Sequence, residues 1–131
     1  MEKDKDPLSA LVSSDAKSTD RKKLAELLAP YMVIDQDSKD FGFTPAFDDI
    51  NGNELKIEIL LAGAKARALL FSMPDGMLPG EIIATGIMAE GSTKTSLKRL
   101  FDGRKTKKDK DGRYFLPAHR IADLAKRLTS Q

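Results

Sequence analysis

Residues 78–101, LPGEIIATGIMAEGSTKTSLKRLF, decide the fold of this chain. Pro79 suits the first turn of a short helix, because the N–H group that proline lacks would have no partner there. Gly86 is a natural stop for that helix, since glycine readily adopts the left-handed conformation that follows helix ends. A short turn comes next, and Ser92 or Thr93 is expected to cap a second helix. The stretch therefore predicts two short helices joined by a tight turn.

The second predicted helix, 93–101, has one apolar side and one polar side. Leu97, Leu100 and Phe101 recur at the spacing i, i+3, i+4, which places them together on the inward side. Two short helices with a glycine-containing turn form the helix-turn-helix arrangement, which we place at residues 78–102. The side chains left on the outside of the second helix are Lys94, Thr95, Lys98 and Arg99.

A strongly basic segment, 104–117, follows the second helix and is expected to form a wing-like hairpin. Asp111 and Gly112 form a dipeptide that is typical of a two-residue hairpin turn, and a return strand is expected over 114–116. A last helix with one apolar side is predicted over 118–129. The predicted order is thus helix, helix, turn, helix, basic hairpin, helix.

The part before these helices has a less specific pattern. Residues 1–18 are polar and charged and are predicted to form a flexible tail. Over 19–50, a short helix capped at Thr19 or Asp20 precedes either a small hairpin or a coil anchored by two phenylalanines. The strongest helical pattern runs from about 54 to 73. This helix is apolar over so much of its surface that it should be central or contact a second subunit.

Three segments resemble the winged helix-turn-helix of prokaryotic transcription regulators of the MarR-like and IclR-like type. They are GEIIATGI at 80–87, GSTKTSLKRL at 91–100 and DGRYFLP at 111–117. The resemblance implies a mainly α fold with a small β-wing, in which residues 51–131 form one winged helix-turn-helix domain. The segment after Gly103 lacks the apolar pair that is usual in the first wing strand. That strand is therefore expected to be short, frayed or replaced by a longer second helix.

Charge is divided unevenly along the chain. Residues 1–90 hold 10 Lys and Arg against 16 Asp and Glu, a net charge of −6. Residues 91–131 hold 12 Lys and Arg against 4 Asp and Glu, a net charge of +8, and the whole chain carries +2. Such an asymmetry indicates that the C-terminal part meets a polyanion.

Double-stranded DNA is the partner that this basic, helical pattern predicts. The second helix can enter the major groove and present its polar side to base edges. The basic hairpin suits phosphates or the minor groove, and the helix start at 92–94 can hold a phosphate on free N–H groups. The predicted contact residues are Ser92, Thr93, Lys94, Thr95, Lys98 and Arg99 on the helix, and Arg104, Lys105, Lys107, Lys108, Lys110 and Arg113 on the hairpin.

Enzymatic and metal chemistry find little support in the sequence. The chain has no cysteine, which excludes disulfides, cysteine nucleophiles and cysteine-based zinc sites. His119 is the only histidine and has no catalytic partner nearby in sequence. The acidic run 35–40 lacks the glycine and the closing glutamate of a calcium loop. No catalytic residue, metal or cofactor is therefore predicted, and the protein is not expected to be an enzyme.

The predicted function is sequence-specific binding of double-stranded DNA by a transcriptional regulator. The alternatives are a winged-helix module for protein–protein contacts and an accessory subunit of a DNA-processing complex. A homodimer is expected, because regulators of this type usually bind two half-sites. No apolar stretch is long enough to cross a membrane, and the lack of cysteine fits the cytoplasm.

Overall fold

The computed structural model describes residues 7–11 and 15–129, and it is mainly helical with two small antiparallel hairpins. This agrees with the mainly α class, with a small β part, that the sequence predicts. After a 3-10 helix at Pro7–Leu11, the helices are α1 (Asp15–Ser18), α2 (Arg21–Leu28), α3 (Pro45–Asp48), α4 (Asn53–Phe71), α5 (Pro79–Ala84), α6 (Glu90–Asp102) and α7 (Arg120–Thr129). The strands are β1 (Met32–Ile34), β2 (Phe41–Phe43), β3 (Lys107–Lys108) and β4 (Tyr114–Phe115).

Helix α4 forms the centre of the fold, as its apolar sequence predicts. Every residue from Ile57 to Lys65 is buried, and α2, α6, α7 and β4 pack around the helix. It ends at Phe71, before the predicted end, with Ser72 in the left-handed conformation at φ 55°. Met73 precedes a proline, which disfavours helical backbone at that residue, and this accounts for the early end. The stretch from Ile57 to Lys65 is thus buried by its own chain and is not available to a second subunit, whereas Leu70 near the end of the helix is 61% exposed.

The N-terminal helix and hairpin form where the sequence predicts them. Asp20 caps α2 by accepting a hydrogen bond from the N–H of Lys23 at 3.0 Å. β1 and β2 pair antiparallel, with Met32 opposite Phe43, so the alternative of a coil does not hold. Met32 reaches α4 at Gly63, where a Cβ atom would lie 2.5 Å from the Met32 sulfur. The missing side chain of this glycine lets the hairpin pack closely on the central helix.

Part of the predicted N-terminal tail contacts the rest of the fold. Residues 1–6 and 12–14 lie outside the described residues, but α1 brings Asp15 against two distant parts of the chain. The Asp15 carboxylate accepts a hydrogen bond from the N–H of Ala118 at 2.7 Å and another from the Nζ of Lys65. Asp15 thus departs from the flexible tail expected there, because its charge finds a partner in a buried lysine.

Lys65 is the buried lysine that joins two carboxylates. Its Nζ lies 2.6 Å from Oδ2 of Asp75 and also contacts Asp15. Burial raises the pKa of Asp75, and the hydrogen bond from Lys65 only partly offsets this. Burial also acts to raise the pKa of Asp15, but the bonds from Lys65 and from Ala118 outweigh it and lower that pKa. The Oδ1 atom of Asp75 is buried without a hydrogen-bond partner among the described residues, which is consistent with its raised pKa.

A second buried charge, Glu58, is paired across the core. Its side chain is 1% exposed, and its two oxygens accept hydrogen bonds from Arg127 at 2.9 and 2.7 Å. The hydrogen bond to Glu58 raises the pKa of Arg127. Asp123 accepts a further bond from Nε of Arg127 at 2.9 Å. This two-point guanidinium–carboxylate pair, the geometry that Arg makes best, fixes α7 on α4.

The chain between α4 and α5 pairs with the second hairpin. The N–H of Met77 donates to the carbonyl of Tyr114 at 2.9 Å, and the N–H of Tyr114 donates to the carbonyl of Met77 at 2.9 Å. β4 is therefore flanked by Met77 on one side and by β3 on the other. Gly76 permits this approach, because its φ of 81° favours glycine and a Cβ atom would lie 2.4 Å from the Tyr114 carbonyl oxygen.

Thr106 offers a direct test of how tightly the second hairpin is packed. The residue is 2% exposed, and its hydroxyl has no hydrogen-bond partner in the described part of the chain. Replacing Thr106 with valine keeps the shape and removes an unsatisfied buried hydroxyl, so we expect the free energy of unfolding to rise by about 1 kcal/mol. Urea unfolding measures the change. Thr106→Ser, which keeps the hydroxyl and loses the methyl group, should lower stability; a valine variant less stable than the parent would contradict the argument.

Candidate nucleic-acid interface

Helices α5 and α6 and the turn between them occupy the stretch that the sequence singled out. The side chain of Glu81 accepts a hydrogen bond from the N–H of Leu78 at 2.8 Å and so closes the start of α5. Gly86 follows α5 with φ 73°, which confirms its predicted role as the stop. α6 begins earlier than predicted, at Glu90, with Ala89 as its N-cap. The prediction that Ser92 or Thr93 caps this helix is therefore wrong, because both lie within its first turn.

The two sides of α6 differ from the prediction at two residues. Lys94, Thr95, Lys98 and Arg99 are exposed, as expected, and Leu97 and Leu100 are buried. Thr93 is also buried, and its hydroxyl donates to the carbonyl of Ala89 at 3.0 Å, so it lies on the inner side of the helix. Phe101 was expected to face inward but is 42% exposed. The spacing of Thr93 to Leu97 and Leu100, i, i+4, i+7, is the signal that could have placed Thr93 correctly.

The exposed cations of α6 differ in whether they already have a partner. Lys94 pairs with Glu90 at 2.9 Å, and Lys98 pairs with Asp102 at 2.7 Å. The hydrogen bond to Asp102 raises the pKa of Lys98. Both pairs are solvent-exposed, and such pairs contribute little to stability, so a phosphate or base can replace the carboxylate. Within residues 7–11 and 15–129, Arg99 has no carboxylate within 4.0 Å.

The second hairpin is short and is organised by one aspartate. β3 holds only Lys107 and Lys108, which pair with Phe115 and Tyr114, so the expectation of a short first strand is confirmed. The Asp109 carboxylate accepts hydrogen bonds from the N–H groups of Asp111 and Arg113, both at 2.9 Å. Gly112 has φ 86°, but the N–H of Asp109 donates to the carbonyl of Arg113, so residues 110–112 join the strands in place of the predicted two-residue Asp-Gly turn.

The basic side chains of this hairpin form no close ion pairs among the residues that the structure describes, although Lys107 acts electrostatically on Asp15 and helps to lower its pKa. No carboxylate lies within 4.0 Å of any of them there. The ammonium group of Lys108 lies 5.2 Å from the ring centre of Phe101 and 4.9 Å from that of Tyr114. These two rings meet edge to face at 5.9 Å. Arg104, Lys107, Lys108 and Lys110 are exposed, and Lys105 and Arg113 are half-buried.

A groove of about 520 Å³ lies between the start of α4 and the side of α6. The N-cap residue of α4, Gly52, provides no side-chain cap. Ser96 lines the groove, is 6% exposed and makes no side-chain hydrogen bond to another described residue. Ser92, Thr95 and Arg99 line it as well. Helix N–H groups, hydroxyls and the guanidinium of Arg99 favour an oxyanion here, whereas the carboxylate of Glu54, which also lines the groove, opposes one. Sequence reasoning missed this groove, because its two walls are distant along the chain.

Other site chemistry is sparse in the described part of the chain. No group of three or more His, Cys, Asp or Glu residues there could hold a metal ion. His119 is exposed. No helix among the described residues is long and apolar enough to cross a membrane.

In comparisons with known proteins, no family model matches the chain, and neither does any curated protein or solved structure.

Proposed function

We propose that the protein binds double-stranded DNA through a winged helix-turn-helix domain and acts as a transcriptional regulator. The order of elements supports this assignment. Helix α4 is followed by the paired residue Met77, then by α5 and α6, and then by the β3–β4 hairpin, which returns to pair with Met77. In this assignment α6 is the recognition helix and the β3–β4 hairpin is the wing.

The recognition helix is suited to the major groove in length and in chemistry. It has 13 residues, which corresponds to about 20 Å at 1.5 Å per residue. Its exposed side presents Lys94, Thr95, Lys98 and Arg99. Lysine and arginine favour the acceptors of guanine, and threonine can contact the methyl group of thymine. We therefore assign base contacts to this side of α6. The buried Thr93 has no part in them.

The observation that carries the proposal is the set of unpaired cations on the wing. Six Lys and Arg residues lie between 104 and 113, and no carboxylate among the described residues lies within 4.0 Å of them. Asp109 and Asp111 lie in the same segment and Lys107 acts electrostatically on Asp15, but the segment keeps a net positive charge whose self-repulsion a polyanion would relieve. Phosphates on either side of the minor groove are such a partner. We assign one further backbone phosphate to the groove lined by Ser96 and Arg99, on the side of the groove away from Glu54.

Removing three wing lysines tests the proposal. In the triple variant Lys105→Ala, Lys107→Ala and Lys108→Ala, we expect duplex affinity to fall by at least about tenfold on all sequences, because phosphate contacts do not read bases. The slope of log affinity against log salt should become shallower by about 2.7, at about 0.9 for each lost phosphate contact. Fluorescence anisotropy over a series of salt concentrations measures both quantities.

The matched control removes the same charge elsewhere. Arg21, Lys22 and Lys23 lie in the first turn of α2, and α2 packs mainly on α4 and α7. Replacing these three with alanine should leave the salt slope within about 0.5 of the parent. Equal losses of duplex affinity in the two triple variants would mean that only the net charge of the protein determines binding. Absence of duplex binding at low salt would contradict the proposal. A stoichiometry of two chains per duplex in the same titration is expected if the protein acts as a homodimer.

A further inference from the structure

A cavity of about 470 Å³ separates the N-terminal hairpin from α5. It lies away from the exposed side of α6, and the proposed DNA contacts do not use it. Its size falls in the range of small-molecule sites. One wall is apolar, made by Phe41, Phe43 and Met77, and the polar groups at its edge are Asp40, Arg67 and Glu81.

Arg67 is held in place yet incompletely bonded. Its Nη1 donates to the carbonyl of Lys39 at 2.9 Å, and its guanidinium carbon lies 4.4 Å from the ring centre of Phe41. Its Nε is buried and has no hydrogen-bond partner among the described residues. Burial lowers the pKa of Arg67, opposed by Glu81 and Asp40 at longer range. Arg67 lines the cavity and has no carboxylate of a described residue within 4.0 Å, so the part of its guanidinium that faces the cavity can bond to a ligand carboxylate.

The two carboxylates at the edge restrict what that ligand can be. Glu81 uses one oxygen to accept the Leu78 N–H, and the Asp40 side chain makes no hydrogen bond or ion pair with any other described residue. Both act electrostatically on Arg67. A ligand with several negative charges would be repelled by them, whereas a ligand that also carries a positive group would be attracted.

We propose that this cavity binds a free α-amino acid with an apolar side chain. The carboxylate of the ligand bonds to the guanidinium of Arg67, and its ammonium group faces Asp40 and Glu81. Its side chain packs against Phe41, Phe43 and Met77. The site lies between the β1–β2 hairpin and α5, and the inference does not depend on DNA binding.

The experiment is a titration of the ¹⁵N-labelled full chain, followed by amide chemical shifts, with leucine, methionine and phenylalanine to millimolar concentrations. At least one of the three should give saturable shifts at residues around the cavity. The tightest binder is then compared with its deamino analogue, which keeps the carboxylate, and its decarboxy analogue, which keeps the ammonium group. Each analogue should bind about tenfold more weakly or worse, as expected for loss of one charge-assisted hydrogen bond.

Variants assign each end of the ligand. Arg67→Met should weaken the amino acid about tenfold and leave the decarboxy analogue unaffected. The double variant Asp40→Asn and Glu81→Gln, which retains an acceptor for Leu78, should also weaken binding of the amino acid. It should leave binding of the deamino analogue, which has no ammonium group, unaffected. If Arg67→Met does not fold, Arg67→Lys keeps the charge and loses the planar guanidinium, and it should also weaken binding of the amino acid. No saturable shift with any of the three amino acids, or a deamino analogue that binds as tightly as its parent, would overturn the proposal.

Discussion

Replacing Arg127 with methionine is expected to lower the free energy of unfolding by about 3 kcal/mol. The variant leaves the carboxylate of Glu58 in the core without the two hydrogen bonds, at 2.9 and 2.7 Å, that it accepts from Arg127. Glu58 is 1% exposed, so water cannot replace those bonds. Arg120, with a nitrogen 3.9 Å from Glu58, is too distant to replace them fully. Because Arg127 itself is 35% exposed, we expect a loss of free energy of unfolding at the lower end of the range for breaking a buried ion pair.

A double-mutant cycle separates the loss of the pair from the loss of packing. The variants are Arg127→Met, Glu58→Met and both together, each measured by urea unfolding. The double variant should be more stable than Arg127→Met alone, because it removes the unpaired charge along with its partner. An exposed ion pair contributes about 0.5 kcal/mol to the free energy of unfolding. If Arg127→Met lowers that free energy by no more than this, Arg127 does not stabilise the buried carboxylate of Glu58.

Replacing Gly76 with alanine is expected to destabilise the protein by about 3 kcal/mol, the sum of backbone strain and a steric clash. Gly76 has φ 81°, a conformation that alanine adopts with difficulty. The added Cβ would lie 2.4 Å from the carbonyl oxygen of Tyr114 and 2.8 Å from the Cβ of Phe115. The first of these atoms is backbone, so Met77 and β4 would have to separate. Thermal and urea unfolding measure the loss.

Gly80 provides the control for this substitution. It lies in α5, and a Cβ added there meets no atom within 4 Å. Gly80→Ala should therefore raise stability by about 0.5–1 kcal/mol, because alanine favours the helix. The argument about Gly76 fails if the two alanine variants have the same stability.

The sequence correctly predicted those helix ends and turns that are determined by a few neighbouring residues. Asp20 lies directly before α2 and caps it, and Gly86 follows α5 with a positive φ. The apolar run of α4 predicted its central position. Such features depend on a few neighbouring residues and on the backbone preferences of glycine, proline and capping side chains.

The start of α6 shows where local reasoning failed. Ser92 and Thr93 are good capping residues, yet the helix begins at Glu90. Packing of α6 on α4 favours Thr93 on the buried side, where its hydroxyl bonds to Ala89. Tertiary contacts of this kind override a capping preference worth about 1 kcal/mol.

The parts of the candidate sites that the sequence did not predict depend on contacts between distant residues. The groove beside α6 needs the start of α4, and the cavity at Arg67 needs the β1–β2 hairpin against α5. The six cations of the wing could be counted in the sequence, but whether they had carboxylate partners could not. Spacing can indicate pairs one helical turn apart, such as Lys94 with Glu90, but pairs between residues distant along the chain are seen only in the folded structure.

The ion pair between Glu58 and Arg127 also has a consequence for protein synthesis. The two residues are 69 positions apart, so α4 leaves the ribosome long before its partner exists. The same delay holds for Asp15, whose backbone partner at Ala118 is 103 positions later. Until residue 127 has emerged, the central helix carries an unpaired carboxylate on a surface that must be buried. The nascent chain is therefore expected to complete its folding only late in translation, once α7 can pack on α4.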